Sequence, residues 1–239
     1  MRNYVMNIAL IIAGGFGNRM GQDIPKQFIH INNRPVIVYT LEQFQNHPQI
    51  DKIQVVCVDG WQAILRGYAM QFNITKLMDI IPGGGTRFDS IYNGMHSLKH
   101  VADEDVIIVH DAVRPLVTSA AISDTIRVCS EQDNSMTVLD CMDTMYLKTE
   151  PNFTKENMDR SLLVRGQTPE AVSGKRMREL YLAAEKQGLK IDSISALQVA
   201  LGWDIHFARG DEKNIKLTTT EDIDLFKALL EIKRDAWLK

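Results

Sequence analysis

The sequence predicts an α/β fold in which a mostly parallel sheet carries helices on both faces. Short apolar runs rich in Ile and Val recur along the chain, each bounded by turn residues. Between them lie segments whose apolar residues fall three and four apart, the spacing of a helix with one buried stripe. Strand and helix alternate almost throughout, and that alternation calls for a parallel sheet with ligands beyond the carboxyl ends of its strands.

The elements follow in order. Residues 7–13 form an apolar run that stops at Gly14-Gly15, about seven residues long and so well short of the ~20 needed to cross a bilayer. It reads as the first core strand. Residues 35–46 make a helix, 52–58 a strand, 61–72 a helix and 78–81 a strand. A helix over 89–100, a strand over 105–110, a helix over 119–132 and a strand over 135–140 continue the pattern. Residues 145–164 break it, because polar turn material lies between two short extended runs, which suits a projecting hairpin. Such arms commonly pack on another subunit. A helix over 173–187, a strand over 204–208 and a helix over 219–234 close the chain, the last opening with Thr219-Thr220-Glu221-Asp222 as a cap.

With 239 residues the chain is long enough for one large domain with a substantial core, and one domain is expected. A net charge of −3 gives no general attraction to DNA, RNA or acidic membranes, so an anionic ligand must be met by local basic clusters. No basic stripe with interleaved aromatics argues for nucleic acid. Trp61, Trp203 and Trp237 are scattered and read as packing residues. The three cysteines, Cys57, Cys129 and Cys141, lack disulfide or zinc spacing, which suits a reducing cytoplasm.

Four motifs carry chemistry. The first strand runs into Gly14-Gly15-Phe16-Gly17-Asn18-Arg19-Met20-Gly21, followed by Pro25-Lys26-Gln27-Phe28. Glycine frees backbone amides for phosphates, and Arg19 and Lys26 can neutralise them. The spacing is neither the dinucleotide fingerprint nor the P-loop. A glycine turn with a surface Arg and Lys is the plain alternative. The second motif, Gly83-Gly84-Gly85-Thr86-Arg87-Phe88-Asp89-Ser90, opens a helix and allows close backbone approach to a base or ribose. Taken alone, it equally fits a simple capped turn. The third, Val109-His110-Asp111-Ala112-Val113-Arg114-Pro115, ends a very hydrophobic strand. A carboxylate there needs a partner, since burying it unpaired is costly, so Asp111 is expected to face a nucleotide or its metal. Arg114 either pairs with Asp111 or meets ligand, and His110 reads as a satisfied histidine at the sheet end. The fourth, Asn214-Ile215-Lys216-Leu217-Thr218, places a lysine just before the last helix, where its value depends on the company of the other cations.

In this order the motifs resemble the methylerythritol phosphate cytidylyltransferase family, together with its relatives that use ribitol phosphate. The resemblance runs from Ile8 to about Phe226. It implies a Rossmann-like α/β domain of the nucleotide-diphospho-sugar transferase type, with a dimerisation arm at about 143–166 that completes the neighbouring subunit's site. It implies that CTP and a polyol phosphate give a CDP-polyol and pyrophosphate with Mg2+. By the same resemblance, Ala13, Gly14 and Gly15 lie under the nucleotide, and Arg19, Lys26 and Lys216 form the catalytic cations. Gly84, Arg87, Ser90, Asp111 and Ala112 bind nucleotide, with Gly84 and Ser90 reading cytosine and Asp111 also the metal residue. Thr144, Arg160, Thr168 and Asp192 are implied at the acceptor.

Two departures bear on that acceptor. Gly85 stands where the family has an acidic or polar residue, and Ile191-Asp192-Ser193 stands where a Thr-Asp run is usual. In contrast, Gly166-Gln167-Thr168-Pro169-Glu170 resembles the ribitol phosphate branch. A pentitol phosphate such as ribitol 5-phosphate is therefore favoured, with 2-C-methyl-D-erythritol 4-phosphate as the alternative. The first fits wall or capsule polymer synthesis and the second isoprenoid synthesis. A hexose phosphate nucleotidyltransferase shares only the first motif. A nucleotide-binding module without catalysis remains the reading from another class.

Overall fold

A computed structural model of the chain describes residues 4–15 and 24–234. Its main sheet has seven strands. At its centre lie β1 (Asn7–Ala13) and β6 (Val106–Asp111), with β4 (Lys52–Cys57) and β5 (Leu77–Pro82) continuing one side. All four run parallel, with Ile12 of β1 beside Asp111 of β6. On the other side are β10 (Val164–Ser173), β7 (Asn134–Asp140) and β11 (Phe207–Arg209).

Side-chain alternation builds two cores. Ala9, Ile11 and Ala13 of β1 face one, and Ile8, Leu10 and Ile12 face the other, as the two-residue period of a strand requires. The first face is covered by α1 (Val36–Gln45), α2 (Gln62–Gln71) and α4 (Ser119–Gln132) through Leu41, Phe44, Leu65 and Ile122. On the second lie α3 (Arg87–Ser97), α5 (Gly174–Gln187) and α6 (Ile194–Ala200), which contribute Ile91, Met95, Leu180 and Leu197. A third cluster joins Phe226 of α7 (Thr220–Arg234) to Leu217 and Val113 beyond the end of β6. Ile31 in the short hairpin of β2 (His30–Ile31) and β3 (Arg34–Pro35) completes it.

Several expectations are corrected. Strand β10 was not foreseen, and it runs antiparallel to both β6 and β7. Its Gly166 and Pro169 hide the apolar pattern, and its register slips between Gly166 and Glu170. The slip brings Thr168 to the end of β6. Helix α3 starts at Arg87 rather than 89, because Thr86 caps it and Asp89 closes the capping box. Strand β11 is shorter than 204–208 suggested, and α6 was too short to show in the periodicity.

The segment after β7 forms a separate hairpin of β8 (Met145–Tyr146) and β9 (Asn157–Met158). Val164 to Gly166, inside the expected arm, belong instead to the main sheet.

Candidate functional site

A cleft of about 630 Å³ opens at the carboxyl ends of β1 and β6. Its floor begins at Ala13, Gly14 and Gly15, where β1 ends. Gln27 is 2% exposed and donates its side-chain amide to the carbonyls of Ala13, at 2.8 Å, and Gly15, at 3.1 Å. It therefore fixes the backbone on which the glycine loop starts. Lys26 lines the same cleft from the first residue of the 3₁₀ turn Lys26–Phe28. Arg19, Gly17 and the rest of that loop lie outside the described residues.

Opposite stands the start of α3. Ser90 is buried, and its hydroxyl accepts a hydrogen bond from the Gly84 amide at 3.0 Å. A Cβ on Gly14 would come within 2.6 Å of that hydroxyl oxygen, so the two loops meet only because residue 14 is glycine. Gly84 and Gly85 line the cleft beside them.

Asp111, at the end of β6, holds the cations together. Its carboxylate receives Arg87 at 3.0 Å, Lys216 at 3.0 Å and Arg114 at 3.5 Å. Burial disfavours its charge, but Arg87, Lys216 and Arg114 outweigh that and hold its pKa well below the usual carboxylate range. Of the two readings left open for Arg114, the ion pair with Asp111 is present. The Asp111 amide donates to the Thr168 hydroxyl at 3.1 Å.

His110 is fully buried between the Arg114 carbonyl at 3.1 Å and the Thr168 hydroxyl at 3.1 Å. Burial pushes its pKa down to about 4. It is the satisfied sheet-end histidine.

The turn carrying Lys216 is docked at three points. The Asn214 amide donates to the Thr168 carbonyl at 2.7 Å, Arg114 donates to the Asn214 carbonyl at 2.6 Å, and Leu217 N donates to the Val113 carbonyl at 2.9 Å. These bonds tie the turn to β10 and to the loop after β6 and so aim the lysine at the cleft.

The far wall is built from β10 and the turn before α6. Asp192 accepts from the Phe88 amide at 3.1 Å through its carboxylate and from Arg87 through its carbonyl. Glu170 is 4% exposed and was missed in the sequence, as were the anchoring roles of Gln27 and Asn214. The one available signal was a charged or amide residue set directly against an apolar strand or turn. Thr144 and Arg160 are not among the residues lining this cleft. Both are exposed on the arm, where Arg160 donates to the Met142 carbonyl.

Four cationic side chains, Lys26, Arg87, Arg114 and Lys216, thus line one cleft with three carboxylates, Asp111, Glu170 and Asp192. A polyanion entering it meets cations already oriented, so little reorganisation is needed as charge develops. Among the described residues no group of three acidic, His or Cys side chains could enclose a metal ion. A hard cation here would take most of its oxygens from phosphate and water, because Asp111 already receives Arg87, Arg114 and Lys216.

The comparisons agree with this architecture. The family model for 2-C-methyl-D-erythritol 4-phosphate cytidylyltransferase, IspD, matches residues 7–232. A ribitol-5-phosphate cytidylyltransferase of Lacticaseibacillus paracasei is 40% identical, over 95% of this chain and 99% of its own. One of Vibrio parahaemolyticus is 35% identical, over 96% of this chain and 98% of its own. Among solved structures, one described as 4-diphosphocytidyl-2C-methyl-D-erythritol synthase superposes with a TM-score of 0.80 at 26% identity. That likeness covers 96% of this chain and 100% of that one.

The fold and cleft are those of a nucleotidyltransferase. The chain belongs to the 2-C-methyl-D-erythritol 4-phosphate cytidylyltransferase family and is a CTP-dependent cytidylyltransferase.

Proposed function

We propose that the chain transfers CMP from CTP to ribitol 5-phosphate or another pentitol phosphate, giving a CDP-pentitol and pyrophosphate. The observation that carries the transfer is the convergence of Lys26, Arg87, Arg114 and Lys216 on one cleft around Asp111. The acceptor follows from the 40% identity to a ribitol-5-phosphate cytidylyltransferase and from the Gly-Gln-Thr-Pro run on β10. The methylerythritol phosphate reading keeps support from the matching family and the superposing structure.

An acceptor phosphate oxygen attacks the α-phosphorus of CTP, forming a new P–O bond while the bond from α-phosphorus to the bridging oxygen breaks and pyrophosphate leaves. The attacking phosphate is already largely ionised at neutral pH, its second pKa being about 6, so no general base is required. The barrier lies in bringing two polyanions together in line and stabilising charge on the α-phosphate and leaving group. Lys26 and Arg19 serve the triphosphate, Lys216 the α-phosphate and incoming phosphate, and Ala13 to Gly15 the path of the nucleotide. Gly84 and Ser90 read the base, Ala112 and Asp111 lie at the ribose, and Arg87 steadies Asp111. A magnesium ion held by triphosphate oxygens and Asp111 would offset further negative charge.

Thr168 and Asp192 form the acceptor end. Thr144 and Arg160 complete it from a second copy of the chain, because within one copy they stand on the arm. That arm exposes Met142, Tyr146, Phe153 and Leu162 by 61–81%, an apolar surface suited to a homodimer. The three cysteines of the chain are free and buried, which suits the cytoplasm, and among the described residues no helix is long and apolar enough to cross a membrane.

Pyrophosphate release from CTP and magnesium, with ribitol, methylerythritol, glycerol and hexose phosphates offered in parallel, tests the reading. Turnover with a pentitol phosphate is expected. Turnover with methylerythritol phosphate alone would overturn the acceptor.

A further inference from the structure

Two residues beyond Thr168, β10 carries a buried carboxylate for which phosphoryl transfer has no direct use. Glu170 accepts from the Ser193 hydroxyl, at 3.1 Å to one oxygen and 3.0 Å to the other, and from the Ser195 amide at 2.9 Å. The same Ser193 hydroxyl accepts from the Ala196 amide at 3.1 Å, so it caps α6 while donating to Glu170. One residue earlier, Asp192 lines the cleft and is bound to the start of α3 through Phe88 and Arg87. The turn is therefore clamped on both sides, by β10 and by α3.

Burying a carboxylate is costly unless its lone pairs are satisfied, and among the described residues the hydrogen bonds to the Glu170 carboxylate all come from this one turn. Burial raises its pKa above the ordinary value, against the pull of Arg87 and of the bonds from Ser195 and Ser193. An apolar side chain would fill this position without that cost but would leave the Ser193 hydroxyl and the Ser195 amide without this acceptor.

We propose that Glu170 is a positioning residue for acceptor selectivity: by fixing Ser193 and Ser195 it sets where Asp192 stands in the cleft. The inference rests on the reading of Asp192 as part of the acceptor end. The sequence lacks the family's threonine in this turn, and the structure shows that the serine hydroxyl offered in its neighbourhood is turned onto Glu170. Acceptor hydroxyls are then read against a turn whose position is set from beneath. A displacement of about 1 Å at such a wall is enough to change rates by about 100-fold.

The test compares wild type with Glu170→Ala, Glu170→Gln and Ser193→Ala, using ribitol 5-phosphate and 2-C-methyl-D-erythritol 4-phosphate as alternative acceptors. Glu170→Ala should raise KM for the preferred acceptor about 10-fold or more, since it frees both Ser193 and Ser195, and shift the kcat/KM ratio between acceptors. KM for CTP should stay within about twofold, because the nucleotide contacts lie elsewhere. Ser193→Ala should show the same shift in part, because the Ser195 amide still binds Glu170, with the double variant no worse than Glu170→Ala alone. Glu170→Gln retains an acceptor oxygen and should recover most of the wild-type selectivity. Equal rises in both KM values with an unchanged acceptor ratio would make Glu170 merely structural and overturn the proposal. Wild type inactive with every polyol phosphate would sink the acceptor reading and this inference with it. An active wild type with unaltered variants would sink this inference alone.

Discussion

Asp111 gathers three cations within 3.5 Å, and their exposures differ enough to separate stability from catalysis. Arg114 and Arg87 are 12% and 21% exposed at the side chain, whereas Lys216 is 40% exposed. Asp111→Asn leaves two largely buried guanidinium groups short of a counter-charge, so unfolding by urea should show a loss of about 3 kcal/mol. Lys216→Ala removes a half-exposed cation from a carboxylate that keeps both guanidinium groups and should cost under about 1 kcal/mol of stability. Its turnover should nevertheless fall by about 100- to 1000-fold, as should that of Lys26→Ala, because each removes a cation from the developing charge. Wild-type turnover in either lysine variant would remove that residue from the catalytic set. His110 gives a pH signature. Its pKa is lowered from 6.5 to about 4, so below pH 6.5 the unfolded chain takes the proton first and stability falls until about pH 4. The loss amounts to about 3 kcal/mol at most. The lowered pKa of His47 acts in the same direction, and the raised pKa of Glu170 opposes it. Urea midpoints between pH 7 and 4.5 should therefore decline less steeply in His110→Gln than in wild type; parallel curves would contradict the assignment. At this scale the cleft residues were legible because Asp111 ends a strand, Arg87 opens a helix, and Lys26 and Lys216 sit within recognisable motifs. Gln27 and Glu170 were not, because their partners, Ala13 and Ser193, are remote in sequence and a lone polar residue has no period.

The loop after β1 and the start of α3 are built as one element pair. Gly14→Ala would place a methyl group 2.6 Å from the Ser90 hydroxyl oxygen and 3.3 Å from its Cβ, forcing the loops apart. Calorimetry should show CTP affinity reduced by about 10-fold or more, equivalent to about 1.4 kcal/mol. Adding Ser90→Ala removes the closer clash and should restore the fit of the loops, visible as a recovered Tm. A Gly14→Ala protein with wild-type affinity and Tm would refute the close approach. The strands that build this corner were readable because β1 and β6 are unbroken apolar runs buried on both faces. Strand β10 was unreadable for the opposite reason: Gly166, Thr168 and Pro169 interrupt its pattern, and only pairing with β6 and β7 makes it a strand. The parallel sheet was thus foreseen in its main part, while its one reversed strand, which carries Thr168 and Glu170, emerged only in three dimensions.

Across the whole molecule, the cleft is formed at one end of the sheet while Thr144 and Arg160 stand apart on the arm. If the arm serves a second copy, sedimentation should give a dimer. Leu162, 81% exposed, offers a change that spares the chain's own core. Leu162→Glu should shift the protein towards monomer and depress turnover while CTP binding persists. A monomeric wild type with full activity would contradict the shared site. The arm was legible as polar turn material between short strands, but its partner could not be, since a sequence does not show which surface a projecting hairpin covers. The most direct test of the account is competition: limiting CTP and magnesium with equal concentrations of ribitol 5-phosphate and 2-C-methyl-D-erythritol 4-phosphate, and the nucleotide products resolved by mass. The product ratio reports the ratio of kcat/KM values under these conditions. CDP-ribitol should dominate, with one pyrophosphate released for each molecule formed; a dominant cytidine diphosphate of methylerythritol would contradict the pentitol acceptor.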